Sequence, residues 1–321
     1  MLGFKNTIVE VNLKGEDIVL DMKLSEDAFG LNEVVITGVV NPRSKLESSV
    51  SMTTLQPQLL EQSAARTTAE VFRAIPGIKS EASAGDGNTN ITVRGVPISA
   101  GGSRYLQIQE DGLPMLLYGD IAFSTQDQYL RVDQTIARVE AIRGGSAATT
   151  TSNGPAGIVN FISKSGAQEG GMIGASYGVD FNSVRTDFNY GAPINETMSF
   201  NIGGFYRQGE GARNANQLVN KGGQIKANLT KRFDGGFVRI YGKFLNDRTA
   251  AYMPMPIAVS GTNSNPTWGS VDGFSAVNSG LQSPYLNQSF GYGPDGDFRN
   301  VNITDGIHSR SNSVGASLEY D

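Results

Sequence analysis

The chain has 321 residues, and its 31 acidic and 26 basic side chains leave a formal net charge of −5 with no cysteine. That balance supplies no basic patch for a nucleic acid, and the missing thiols exclude a disulfide scaffold and thiolate metal sites. Forty glycines beside 15 Phe, 11 Tyr and one Trp make a β-rich, turn-rich chain; no run approaches the ~18 apolar residues of a membrane helix, so it could cross a bilayer only as a barrel.

The opening MLGFK lacks the basic stretch and apolar core of a secretion signal. Over residues 1–25, Ile8, Val11, Ile18, Leu20, Met22 and Leu24 alternate as two short strands, which alone would leave apolar faces bare. Residues 26–49 read as a linker: Ser25 to Gly30 is small and polar, LNEVVITG at Leu31 to Gly38 is a β-prone island, and Asn41-Pro42 breaks the chain. An isolated β-prone strip in a tether suits strand addition to a partner's sheet edge. An ordinary strand of the following domain is the other reading.

Residues 50–165 read as a small α+β domain. Leu59, Leu60 and Ala64, then Thr67 to Phe72 and Ile75, predict a helical piece, with Thr67 and Glu70 spaced as a capping box and Pro76-Gly77 closing it. Short strands are predicted at Ile91–Arg94, Tyr105–Gln109, Val139–Arg143 and Ile158–Ser163. Val139, Ile142, Ile158, Val159, Phe161 and Ile162 can pair and bury. Arg94, Glu140 and Arg143 lie beside or within strands, where an unpaired buried charge is costly; a solvated surface pair is the alternative.

After Lys164 the period becomes two. Ile173, Ala175, Tyr177, Val179 and Phe181 alternate with small or polar residues, as do Val184, Thr186, Phe188 and Tyr190. The pattern recurs at Met198–Arg207, Gly223–Thr230, Phe237–Leu245 and Ser313–Tyr320, each ~8–12 residues, the length a tilted membrane strand needs. A soluble sandwich alternates in the same way. Turns near Asn182, Asn195 and Asp234-Gly235-Gly236 are short, whereas Leu245 to His308 is a long Gly/Ser/Asn/Pro-rich excursion. Roughly six strands fall short of the eight or so that close a single-chain barrel, so a truncated piece of a longer chain is expected.

Competing chemistries are weak. His308 is the only histidine, so a multi-His metal site is excluded and a Ser-His-Asp triad would rest on one loop residue. Asp86-Gly87-Asn88-Thr89-Asn90 begins like a calcium loop, but Ile91 stands where glycine is required and Pro97 where the bidentate Glu belongs. No phosphate-binding, nucleophile-elbow or zinc-protease motif is present. No enzyme activity, cofactor or metal is expected.

Four ordered segments carry a family resemblance: LNEVVITG, ITVRG at Ile91 to Gly95, QEDGLP at Gln109 to Pro114, and IARVEAIRGG with the Ser/Ala-rich loop and GIVNFISK that follow it. They resemble TonB-dependent outer-membrane receptors of the Bacteroidetes type. The resemblance implies a mainly β fold: a small α+β plug domain followed by antiparallel strands of an incomplete transmembrane β-barrel, which has about twenty-two strands in such transporters. It makes 1–25 a remnant of a carboxypeptidase-regulatory-like β-sandwich, 26–49 a linker, 50–165 the plug and 166–321 the first barrel strands and loops. Leu31, Asn32, Glu33, Val34, Val35, Ile36, Thr37 and Gly38 become the TonB box, and Arg94, Glu140 and Arg143 help lock plug to barrel. Ligand contacts are looked for at Leu113, Leu116, Tyr118, Asp120, Phe123 and Trp268, with packing against the barrel wall as the alternative for the aromatics. The implied function is capture of a scarce nutrient outside the cell and its import with energy transmitted by TonB. Implied partners are TonB with ExbB and ExbD, a glycan or siderophore, outer-membrane lipid and a surface lipoprotein, with the plug and N-terminus facing the periplasm. Two rivals stand beside it: a secreted or surface β-rich adhesion module without transport, and a receptor signalling to an anti-sigma factor, which needs a further N-terminal domain.

Overall fold

The structure is a computed structural model that describes residues 34–35, 43–44 and 51–320, apart from 64, 83–84, 97–104, 117–124, 146–150, 153, 180–181, 212–217, 251–256, 272–288, 293–297 and 302–306. Two short strands, β1 (Val34–Val35) and β2 (Arg43–Ser44), pair antiparallel. Then come β3 (Met52–Leu55), α1 (Pro57–Ser63), α2 (Thr68–Arg73), β4 (Ile78–Glu81), β5 (Asn90–Val93), β6 (Leu106–Glu110), β7 (Leu113–Pro114), β8 (Ile136–Arg143) and β9 (Gly157–Ser163). These form a five-stranded sheet in the order β3-β8-β9-β6-β7 and a separate β4-β5 ladder, with β6 and β9 parallel.

The single helical piece expected from Leu59 to Ile75 is two helices. Thr67 is extended (φ −130°, ψ 158°) and its hydroxyl accepts the Glu70 N–H, so a new helix starts there. The capping box is displaced by one residue: the Glu70 carboxylate takes the Arg66 N–H at 2.7 Å, not that of the cap. The second helix ends at Ala74, ahead of Pro76 and a left-handed Gly77 (φ +81°).

Phe72 and Ile75 from α2 and its exit meet Leu106, Ile108, Val139, Val159 and Phe161 of the sheet in one apolar core. Phe72 and Phe161 pack edge to face with centroids 6.0 Å apart. Gly157 opens β9 at φ +149°, where a Cβ would run into the Ile142 carbonyl oxygen of the neighbouring strand. A side chain there would separate β8 from β9.

The second part is a six-stranded antiparallel sheet of β10 (Gly170–Gly178), β11 (Ser183–Pro193), β12 (Met198–Gly209), β13 (Asn220–Phe233), β14 (Gly236–Thr249) and, after two hairpins, β19 (Ile307–Tyr320). The hairpins are β15 (Ala258–Thr262) with β16 (Asn265–Gly269) and β17 (Ser289–Tyr292) with β18 (Phe298–Val301). The six predicted alternating segments fall on this sheet's strands, except that Val179 lies past the end of β10 and Phe181 is outside the described residues, and His308 lies within β19, not in a loop. The sheet does not close: β10 and β19 are its edges.

Its two faces are inverted relative to a water-soluble sheet. Ile173 and Val314 are 85% and 86% exposed on the outer face, alongside Val184, Ile202, Ile225, Leu229, Ile240 and Leu318. The inner face, against the α+β domain, buries Asn201, Arg207, Gln224, Lys226, Lys243 and Asp247. A sandwich in water would bury the apolar face, whereas a lipid-facing wall around a polar interior shows the pattern seen here. Among the described residues no helix is long and apolar enough to cross a membrane. Phe161→Ala is expected to destabilise the α+β domain by about 3–5 kcal/mol, measured as earlier loss of hydrogen-exchange protection in β8 and β9 on urea titration; an unchanged midpoint would contradict this core.

Candidate functional site

The site is the contact between the α+β domain and the inner wall of the sheet. It begins in QEDGLP. Glu110 ends β6 and Leu113 begins β7, leaving Asp111 (φ +50°) and Gly112 (φ +83°) as the two central turn residues. Positive φ at both is the demand of a type I′ hairpin, which Asp-Gly meets. The turn is fastened to β9: Asp111 Oδ1 and Oδ2 accept the Ser163 N–H at 2.8 Å and hydroxyl at 2.7 Å, and Asn160 Oδ1 accepts the Gly112 N–H at 3.0 Å. Glu110 is thereby aimed at the wall, where Lys226 of β13 lies 2.7 Å away and Lys243 of β14 binds its other oxygen. Lys243 also donates to the Tyr129 carbonyl at 2.9 Å, and Lys226 to the Ser163 hydroxyl at 3.1 Å.

Burial by itself would push the Glu110 carboxyl up, but the two ammonium groups more than reverse this and hold it at about 2, against an ordinary 4.5.

A second cluster lies beside the first. Asp247 of β14 is fully buried and receives Arg131 at 2.7 Å and Arg207 at 2.7 Å. Arg207 of β12 continues to Asp86 at 2.8 Å, and Asn220 donates to the same carboxylate at 3.2 Å. The loop that begins like a calcium site is thus a docking loop: Asp86 meets the wall, while Thr89 donates its hydroxyl to buried Asp127. Arg131 is fixed from behind by the carbonyls of Asp127 at 2.5 Å and Gln128 at 3.0 Å. Gln224 Nε2 donates to Asp133 at 2.6 Å, and Arg185 donates to the Val132 carbonyl at 2.7 Å. Among the described residues no group of three or more His, Cys, Asp or Glu side chains could hold a metal ion.

For the residues expected to lock the two parts, the described contacts are these. Arg143 donates to the Pro76 carbonyl and to Thr53 and Ser51, and Arg94 reaches Ser51 at 2.7 Å. Glu140 is fully buried on β8 and holds Arg138 at 2.8 Å. These contacts are internal to the α+β domain, because β8 lies within its sheet and Arg94 turns back at φ +49° toward β3. Burial and a neighbouring Arg94 push the Arg143 guanidinium below its ordinary value.

Other expected residues are scattered. Of Leu31 to Gly38 only Val34 and Val35 are described, paired with Arg43–Ser44; the other six lie outside the described residues. Leu113 is exposed on β7 and Leu116 is half-buried, while Tyr118, Asp120 and Phe123 also fall outside. Trp268 is exposed on the β15–β16 hairpin, away from the six-stranded sheet. The wall residues Arg207, Lys226, Lys243 and Asp247 were missed although a signal existed: each is a charge on the polar face of an alternating strand.

Residues 44–158 match the family model for the TonB-dependent receptor plug domain. No curated protein matches the chain. Among solved structures, the pyoverdine outer membrane receptor FpvA of Pseudomonas aeruginosa PAO1 aligns with TM-score 0.55 at 17% identity, covering 70% of this chain and 32% of that one. The siderophore receptor PirA of Acinetobacter baumannii aligns with TM-score 0.51 at 18% identity, covering 64% and 33%. The alcaligin receptor FauA of Bordetella pertussis aligns with TM-score 0.51 at 18% identity, covering 67% and 35%. At such identities the likeness is one of fold, and the chain spans about a third of the length of these receptors.

Two outcomes are expected. Asp247→Asn leaves Arg131 and Arg207 facing each other in a buried site, and should weaken plug docking by about 3–5 kcal/mol, read as earlier protease access to the plug in urea. An unchanged midpoint would contradict the assignment. Because the folded Glu110 carboxyl titrates below the unfolded one, its contribution is complete above pH 4.5 and is lost as pH falls toward about 2. Acid release of the plug should begin in that window in the native protein and be less steep in Glu110→Gln.

Proposed function

We propose that the chain belongs to an outer-membrane transporter that captures a scarce nutrient and imports it with energy delivered by TonB; the match of residues 44–158 to the plug-domain model and the likeness of fold to solved outer-membrane receptors support this reading. The observation that carries this reading is the polarity of the plug–wall contact. The plug has its own apolar core, whereas its hydrogen bonds and ion pairs to the wall run through Asn, Gln, Ser, Lys, Arg and Asp side chains, with Phe205 and Leu245 the buried apolar residues of that inner face. Separating two polar surfaces lets water replace the broken hydrogen bonds, and no large apolar area is exposed. A plug so held can be displaced as a unit without unfolding.

The handle is the strip Leu31 to Gly38, ahead of β3. Val34 and Val35 already adopt strand pairing, with Arg43–Ser44, and TonB would bind by adding a strand of its own to this strip. Domain limits of 1–25, 26–49, 50–165 and 166–321 follow from this organisation. In the proposed cycle ExbB and ExbD energise TonB, ligand is contacted by the segment from Leu113 to Phe123 and by the connection that carries Trp268, and pulling on the strip releases Glu110 and Arg131 from the wall. The cargo is a nutrient such as a glycan or a siderophore; the siderophore receptor PirA among the structures of similar fold supports the second. A surface lipoprotein partner would go with the first.

Binding of a peptide covering Gly30 to Val40 to a purified TonB C-terminal domain tests the reading. We expect micromolar or tighter binding that weakens by roughly tenfold or more in Val35→Pro, since proline removes a ladder donor. Equal binding of both peptides, or of neither, would contradict the transport reading.

A further inference from the structure

Between the Asp111-Gly112 hairpin and the wall lies a cavity of about 30 Å³, with Glu110, Asp111, Lys226, Asn228, Tyr241 and Lys243 on its lining. Side-chain reach accounts for it. Asp111 is drawn back onto Ser163 of β9, and Arg239 of the wall stays 3.8 Å from its carboxylate. Glu110, one methylene longer, reaches Lys226 and Lys243. Asn228 and Tyr241, which the register sets opposite each other on β13 and β14, line the cavity from the wall side.

These two residues carry buried polar atoms that no protein group satisfies. Asn228 is oriented by its Nδ2, which donates to the Lys164 carbonyl at 2.9 Å, and its Oδ1 is buried without a donor. The Tyr241 hydroxyl is buried with neither donor nor acceptor. Such atoms are costly to leave unpaired. Lys226 and Lys243 each contact two groups among the described residues, which leaves a third N–H on either ammonium.

Charge and volume together fix the occupant. Two carboxylates and two ammonium groups of the lining cancel, so neither a cation nor an anion is called for. The occupant must donate to Asn228 Oδ1 and also accept from an ammonium or the tyrosine hydroxyl. The volume suits about one or two water molecules, and a buried water makes about three hydrogen bonds of this kind.

We propose that the cavity is a hydration site built into the contact between plug and wall, holding ordered water on Asn228 Oδ1 and the Tyr241 hydroxyl. The water bridges hairpin to wall where Asp111 and Arg239 do not meet. It also places solvent beside the Glu110 pairs before the plug moves, so the bonds that break there have a replacement within reach. The site requires only the seated plug and is independent of the transport reading.

The test is a crystal structure of the full-length protein at a resolution that shows ordered water. We expect density within about 3.2 Å of both Asn228 Oδ1 and Tyr241 Oη, with no anomalous signal there when bromide or rubidium replaces the salt ions. Tyr241→Phe should lose the density beside the ring while the plug keeps its seat. X-ray radiolysis in solution gives a second readout, because bound water yields hydroxyl radicals beside it. Tyr241 should be labelled well above Phe161, which is buried in the apolar core, and Tyr241→Phe should bring labelling at that position down to the level of Phe161. An empty cavity, an anomalous bromide or rubidium signal inside it, or a direct bond between Tyr241 and Asn228 would overturn the site. So would density that survives Tyr241→Phe, or labelling of Tyr241 no faster than that of Phe161. None of these outcomes touches the transport reading, which the Gly30 to Val40 peptide tests.

Discussion

Charge excluded from water on the inner wall of the sheet governs the rest of the structure. Asp247 has no exposure and two guanidinium partners, and Glu110 stands between two ammonium groups. Each buried ion is costly by several kcal/mol unless its partner is in place. The plug therefore has few ways to sit: a rotation that satisfied the apolar surfaces but parted Glu110 from Lys226 would leave three charges stranded. Charge pairing here selects a register more than it adds net stability.

That arrangement divides labour between two kinds of cohesion. Inside the plug, Phe72, Phe161, Ile108 and Val159 exclude water and hold the sheet to its helix, and Arg143 and Glu140 tie strand ends within the same unit. Between plug and wall, cohesion comes from directional polar contacts that water can take over once a gap opens. On the far side of the same strands, Ile173, Leu229 and Leu318 face outward. One alternating sequence thus turns apolar side chains outward and polar ones toward the plug.

Much of this was legible in the sequence where local chemistry is strict. Asp111-Gly112 announced a hairpin because few residue pairs accept positive φ twice, and the period-two segments after Lys164 became strands because alternation over ~8–12 residues fits a sheet with two unlike faces. The helix break was legible too, since Thr67 caps a new helix; the apolar spacing on either side disguised it. The docking contacts were not, because Arg207 and Asp86 are 121 residues apart and nothing local pairs them. Arg94 and Arg143 stood out as strand charges, but only the sheet order shows that they turn inward to Ser51.

The coupling energy between Glu110 and Lys226, from a double-mutant cycle on plug release in the full-length protein with Glu110→Gln and Lys226→Met, tests the central claim most directly. If water-excluded charge pairs set the plug's seat, the coupling should be about 1.5 kcal/mol or more, as for close interfacial pairs. A coupling within about 0.5 kcal/mol of zero, the range of independent sites, would contradict the account and return the seating of the plug to shape alone.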